Sequence, residues 1–181
     1  MKIGITFGCF IPMHEGHKSM IQRSRAENEM TIVAVCGKDL DRGKDFIPFK
    51  HRITLVKWKY GYGNYDDVRV VVVDDDKIGM DGTFTLDNWI IWAKELFNKA
   101  GLDPNNEENE YTWYTGDNSY KYKLEMVFPN HKFTLLDRSI IDISGTAVRE
   151  NPEKYRYMID PLFVIYLEQK GLLKHENQSD Y

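Results

Sequence analysis

The chain has 181 residues, 42% of them hydrophobic and 29% charged, with a formal net charge of -4. That balance fits one globular domain with a sizeable core and lacks the strongly basic footprint of a bulk nucleic-acid binder. Cys9 and Cys36 are the only cysteines, too few for a disulfide framework or a thiolate zinc site, and no apolar run approaches the about 18 residues of a membrane span.

From the N-terminus, residues 2–7 read as a short buried strand in which Ile3, Ile5 and Phe7 alternate with smaller or polar residues, and Gly8 ends it. No charged and apolar leader precedes it, so a reducing, cytoplasmic setting is expected, without a membrane or nucleic-acid partner. After a loop through Pro12, residues 14–28 have helical character. Residues 30–36 are rich in β-branched side chains and close at Gly37, which predicts a second strand. A polar loop over 38–45 leads to a helix over 49–60, with Ile53, Val56 and Trp58 among its apolar positions. Residues 68–73 form the strongest strand, flanked by Asp66-Asp67 and Asp74-Asp75-Asp76. The clearest amphipathic helix spans 83–100, where Leu86, Trp89, Ile90, Ala93 and Phe97 recur every three or four residues and Gly101 supplies a C-terminal cap. A strand at 111–115, a short helix at 120–127 and a strand at 132–136 follow. Residues 144–171 are helical in pieces, interrupted by Pro152 and Pro161.

Alternating strands and helices predict an α/β domain over 1–171, with a Rossmann-like parallel five-stranded sheet covered by helices on both faces. A polar tail over 172–181 is expected to fray. In such a sheet the ligand lies beyond the carboxyl ends of the strands, where the strand order reverses.

Two segments carry chemistry. In the first, Gly8-Cys9-Phe10-Ile11-Pro12-Met13-His14-Glu15-Gly16-His17, Gly8 allows a sharp exit from the sheet and Pro12 stiffens the loop. His14 and His17, three apart, share one face of a helix start, where free amides attract anions. Gly16 is expected to let a ligand approach the backbone. Two histidines at a solvated helix start, or half of a metal site, are the plainer alternatives, but His51, His131 and His175 show no ligand spacing, and no P-loop pattern occurs. In the second, Ser144 is a good N-cap, Thr146 lies in the first turn, and Arg149 is placed to bridge two phosphate oxygens. Ser-x-Thr before a helix is commonly only a cap. Lys18, Arg23, Arg25, Lys38, Arg42 and Lys44 leave room for a local basic pocket.

The run from Gly8 to His17 matches the G-x-F-x-P-x-H-x-G-H form of the HxGH nucleotidyltransferase superfamily, which includes pantetheine-phosphate, nicotinamide-mononucleotide (NMN) and cytidylyl transferases. Ile143-Ser144-Gly145-Thr146-Ala147-Val148-Arg149 is similar to that superfamily's I-S-x-T-x-x-R element. The stretch 143–157, with Arg149-Glu150-Asn151-Pro152 and Tyr155, and Ile21-Gln22-Arg23 after the histidines, resemble one member more closely. It is the NMN adenylyltransferase domain of bacterial bifunctional NAD-regulator/ribosylnicotinamide-kinase proteins, and the likeness covers about residues 2–167. These 181 residues show neither the kinase P-loop nor DNA-binding helices, so ribosylnicotinamide kinase and repressor roles are not expected.

The resemblance implies transfer of AMP from ATP to NMN, giving NAD and pyrophosphate, with Mg²⁺ carried on ATP and no dedicated metal ligands. His14, His17, Lys18 and Arg149 would be catalytic, and Gly8, Cys9, Phe10, Gly16, Asp117, Ser144 and Thr146 would join His14, His17 and Arg149 around ATP. Arg52, Asn88, Trp89 and Trp92 would bind NMN. Trp92 is favoured for the pyridinium ring, because Trp89 fits the apolar stripe better. His51, Arg138 and Asn118 are weaker candidates. Another transferase of the superfamily, acting on phosphopantetheine, flavin mononucleotide or a cytidylyl acceptor, and a non-catalytic nucleotide sensor remain alternatives. A homo-oligomer is compatible with the sequence.

Overall fold

The computed structural model describes residues 1–38, 46–79, 85–137 and 141–175. Arg42, Lys44, Thr83 and Arg138 lie outside them. Five strands, β1 (Lys2–Gly8), β2 (Met30–Gly37), β3 (Val68–Asp74), β4 (Glu110–Thr115) and β5 (Lys132–Leu135), form one parallel sheet in the order β3-β2-β1-β4-β5. The helices are α1 (Glu15–Glu27), α2 (Phe49–Tyr60), α3 (Leu86–Ala100), α4 (Asn118–Val127), α5 (Gly145–Glu150) and α6 (Pro161–Gln169), with a 3₁₀ turn at Arg156–Met158.

Strand alternation sends successive side chains to opposite faces. Ile3, Ile5, Ile32, Ala34, Val71 and Val73 pack beneath α3 and α4 in one core. On the other face, Val33 and Val35 meet α1, α2 and α6 in a second core. The crossovers change face at α3, as a constant crossover hand requires once strand order turns back from β3 to β4. In an open α/β sheet such a reversal places the ligand crevice beyond the carboxyl ends of the flanking strands, here β1 and β4.

α1 lies very close to β1. A β-carbon at Gly4 would overlap the Ser24 hydroxyl and fall 2.7 Å from Asn28 Nδ2. Neither atom can retreat cheaply. Ser24 Oγ shares a buried 2.8 Å hydrogen bond with Thr31 Oγ1, and Asn28 Nδ2 donates to Ser24 O and Tyr114 Oη. Gly4→Ala is therefore expected to destabilise the fold by about 1–3 kcal/mol, as overpacking does, read as a shift in the denaturation midpoint. An unchanged midpoint would show that the helix moves away freely.

His131 is held in the core at both ring nitrogens. Trp113 Nε1 donates to its Nδ1 at 3.0 Å, and its Nε2 bonds Pro104 O at 2.9 Å. Burial pushes the imidazole below the ordinary histidine range. Its folded-state value is the lower one, so the unfolded chain takes up the proton first as pH falls, and stability drops in that direction. Thermal melts should show this loss as pH falls through and below the usual histidine range. His131→Phe should flatten that part of the slope, and an unaltered slope would assign it elsewhere.

Several boundaries differ from expectation for local reasons. Helix α1 begins at Glu15 because His14 is its extended N-cap, and α4 begins at Asn118 because Asp117 caps it by accepting from the Ser119 amide. Trp58, expected among the apolar positions of α2, is 57% exposed, and the buried positions are Phe49, Arg52, Leu55, Val56 and Tyr60. The tail does not fray at residue 172. Leu172 and Leu173 pack into the second core, and Arg156 donates to Lys174 O. Among the described residues, no helix is long and apolar enough to cross a membrane.

Candidate functional site

The loop leaving β1 runs along the crevice with its carbonyls held from outside. Arg52 of α2 donates to Cys9 O at 2.9 Å, Arg149 of α5 to Ile11 O at 2.8 Å, and the Asp160 amide to Met13 O at 2.9 Å. His14 then forms an antiparallel bridge with Ile159. Asp160 is itself fully buried. It caps α6 through the Leu162 amide and pairs with Lys59 at 2.5 Å. The loop is thus braced from α2, α5 and the start of α6.

His14 is 5% exposed, whereas His17 is half-buried. Their ring centroids lie 3.8 Å apart at an interplanar angle of 31°. The His14 backbone N–H donates to His17 Nδ1 at 3.3 Å. A neutral His17 with Nδ1 accepting carries its proton on Nε2. A β-carbon at Gly8 would sit 3.5 Å from that Nε2, so the donor lies over the end of β1. Phe10 packs edge-on against the ring, at 4.9 Å between centroids. The pair sits at the N-terminus of the 13-residue α1, where the helix field favours an anion.

Gly16 does something other than expected. A β-carbon there would be 3.1 Å from His14 Cε1 and 3.4 Å from Ile143 Cγ2. The space is filled by the His14 ring and Ile143 rather than left for a ligand, so the glycine seats the histidine. Lys18 pairs with Glu15 at 2.5 Å, which draws its charge towards a carboxylate one turn back.

The second segment meets the first directly. Ser144 Oγ accepts from the Ala147 amide at 3.2 Å, and Arg149 also donates to Thr146 Oγ1 at 3.2 Å. Helix α5 has only six residues, so its side chains rather than its dipole carry any anion contact. Gly145 allows Arg149 to pass, since a β-carbon there would stand 3.0 Å from Arg149 Nη1. Asp117 lies beyond the end of β4, on the far side of the strand-order reversal.

Trp89 and Trp92 are each 5% exposed and belong to the core beneath α3. The apolar stripe buries both equally, contrary to the expectation that it would leave Trp92 for a ligand. Trp92 packs on Phe7 and on fully buried Trp113, at 5.3 and 6.4 Å between centroids. Trp89 is one turn nearer the N-terminus of α3 and meets Tyr120 at 5.3 Å. Asn88 lies in the same first turn, its amide donating to Thr85 Oγ1. Phe7 and Tyr120, at the crevice ends of β1 and α4, complete an aromatic group that helical periodicity within α3 does not reveal.

Arg52 is not with them. It is 0% exposed, its guanidinium is spent on the carbonyls of Cys9, Cys36 and Lys38, and α2 packs on the opposite face of the sheet from the two tryptophans. A direct NMN contact does not fit that position. His51, beside it, bonds Tyr166 Oη at 2.7 Å. Of the basic residues expected to cluster, three of the described ones are paired elsewhere: Arg23 with Glu27, Arg25 with Asp67 through two nitrogens, and Lys38 with Asp76. Among the described residues no group of three or more His, Cys, Asp and Glu side chains is arranged to hold a metal.

Residues 5–151 match the family model described as cytidylyltransferase-like. The chain is 26% identical over 183 residues to the trifunctional NAD biosynthesis/regulator protein NadR of Escherichia coli, covering 90% of this chain and 40% of that protein. The NadR of Salmonella typhimurium matches equally, at 26% identity with the same coverage. The chain therefore spans about two fifths of the length of these curated relatives. A crystal structure of NadR with NAD and AMP-PNP superposes with a TM-score of 0.69, at 26% identity over 90% of this chain and 45% of that one. A NadR complex with NR gives 0.72, at 26% identity over 90% and 44%. A bifunctional NMN adenylyltransferase/ADP ribose pyrophosphatase from Francisella tularensis shares the fold, with a TM-score of 0.65 at 16% identity over 93% and 50%.

Proposed function

The chain belongs to the cytidylyltransferase-like family, and we propose that within it this protein transfers AMP from ATP to NMN, giving NAD and pyrophosphate. The observation that carries the donor half is the close, tilted His14–His17 pair over the end of β1, in a loop that Arg149 grips at Ile11 O. The acceptor half is supported by the aromatic group of Trp89, Trp92, Phe7 and Tyr120 on the opposite face of the sheet from α1. It is supported too by likeness to proteins named for NAD biosynthesis.

A phosphate oxygen of NMN attacks the α-phosphorus of ATP in line, the bond to the bridging oxygen of the β-phosphate breaks, and pyrophosphate leaves with that electron pair. No covalent enzyme intermediate is required, so positioning and stabilisation of negative charge supply the rate. His17, donating from Nε2, and Arg149, with its fixed fork, are the side chains suited to charge building on the α-phosphate and on the leaving group. His14 orients His17 through its backbone amide and adds its own ring. Lys18, Ser144, Thr146 and Asp117 line the nucleotide side, with Gly8, Cys9 and Phe10 contributing backbone. Trp89 beside Tyr120 offers a π face to the pyridinium, and Asn88 a donor and acceptor for its carboxamide. Glu15 and Asp117, the carboxylates at the two helix starts, are engaged by Lys18 and the Ser119 amide. Mg²⁺ fits best as a partner of ATP, held by nucleotide and water oxygens, where it offsets triphosphate charge.

An acceptor screen tests this reading. With ATP, pyrophosphate release should be at least about tenfold faster with NMN than with phosphopantetheine or flavin mononucleotide, a margin of about 1.4 kcal/mol in transition-state binding. Nicotinate mononucleotide and CTP belong in the same screen, to read the tolerance for the pyridine substituent and the base of the donor. Preference for another acceptor would reassign the substrate, and no release with any would favour a nucleotide sensor.

A further inference from the structure

We propose that Arg52 is a positioning residue for the nucleotide loop, holding the Cys9 carbonyl so that the Phe10 amide faces the phosphates. The proposal rests on the reading of this loop as the ATP site. Its geometry comes from the buried face of the sheet, where no ligand reaches.

Arg52 Nη1 donates to Cys9 O at 2.9 Å and lies 3.5 Å from Cys36 O, while Nη2 donates to Lys38 O at 2.9 Å. One guanidinium therefore ties the exits of β1 and β2 together. Phe49 fixes its plane, with the guanidinium carbon 4.9 Å from the ring centroid. In a trans peptide the C=O of one residue and the N–H of the next point in opposite directions. The bond between Cys9 and Phe10 is trans, the cis bond of this loop being Ile11–Pro12. Drawing the Cys9 carbonyl down towards Arg52 thus turns the Phe10 N–H up, towards the crevice.

Phe10 needs that restraint. Its φ is 51°, in the left-handed region that L-residues with a β-carbon disfavour. A conformation of this kind persists only where its neighbours impose it. Here the carbonyls before and after Phe10 are each held by an arginine, Arg52 at Cys9 and Arg149 at Ile11. Arg149 reaches its carbonyl from α5, Arg52 from α2 on the buried face of the sheet. A lysine at position 52 could serve one carbonyl but could not span the two strand exits.

Calorimetric titration of Arg52→Lys and Arg52→Met with ATP alone, and separately with NMN alone, tests the proposal, with thermal melts to fix a temperature at which each variant is folded. ATP affinity should fall about tenfold or more in Arg52→Met, the scale of losing an aligned donor to a charged group. Arg52→Lys should fall in between, and NMN affinity should stay within about threefold of wild type in both. Weaker NMN binding with unchanged ATP binding would make Arg52 an acceptor contact and overturn the proposal. Unchanged binding of both ligands, with only a lower melting temperature, would make it a purely structural brace. If Arg52→Met does not fold, Arg52→Lys alone decides by the same criteria. Wild-type protein that binds no ATP would instead contradict the proposed donor, so the two failures are distinguishable.

Discussion

Replacing His17 with alanine should lower AMP transfer by about 10²- to 10³-fold, the cost of removing one donor aimed at developing charge. The ring sits over the end of β1 with Nδ1 bonded by the His14 amide, and Nε2 is the nitrogen proposed to meet a phosphate oxygen. The same Nδ1 bond gives the residue a structural share, because it satisfies the N-cap amide of α1. Glutamine at the third helical position reaches back to that amide in many capping boxes. His17→Gln should therefore recover most of the stability lost by alanine and almost none of the rate. The comparison needs kcat and denaturation midpoints for the two variants and wild type. A His17→Gln enzyme within about threefold of wild type would remove His17 from the chemistry.

Arg149→Lys should lower kcat/KM for ATP by about 10- to 100-fold, the range for losing hydrogen bonds between charged groups. Arg149 spans Ile11 O and Thr146 Oγ1 with two nitrogens. It links the two chemistry-bearing segments. Lysine keeps the charge but cannot hold the loop carbonyl and a phosphate in one plane. Initial rates at varied ATP, with acceptor saturating, measure the effect. Wild-type kcat/KM in Arg149→Lys would mean that charge alone matters at this position and that the fork contributes nothing.

Much of this was legible in the chain. The period-two pattern of Ile3, Ile5 and Phe7, the β-branched run before Gly37, and the 3–4 spacing of Trp89, Ala93 and Phe97 locate strands and helices directly. The Gly8–His17 and Ser144–Arg149 segments stand out because several residue types with separate physical reasons occur at fixed spacing. What stayed hidden depends on partners far along the chain. Arg52 looks like an NMN ligand until its guanidinium is found on the carbonyls of Cys9, Cys36 and Lys38. Pro161 reads as an interruption of a helical stretch, and nothing nearby indicates that Asp160 caps a helix, is buried against Lys59 and holds Met13. Gly16 suggests an approach path for a ligand, whereas the space belongs to a ring two residues earlier. Trp89 and Trp92 cannot be separated by periodicity, because β1 and α4 supply the aromatic neighbours that bury both.

The donor chemistry is decided most directly by following the α-phosphate of ATP. With ATP labelled there and NMN as acceptor, the label should enter a dinucleotide that co-migrates with NAD, and one pyrophosphate should appear for each dinucleotide formed. Label that remains in ATP, ADP or free AMP, with no labelled dinucleotide, would contradict adenylyl transfer to NMN by this site.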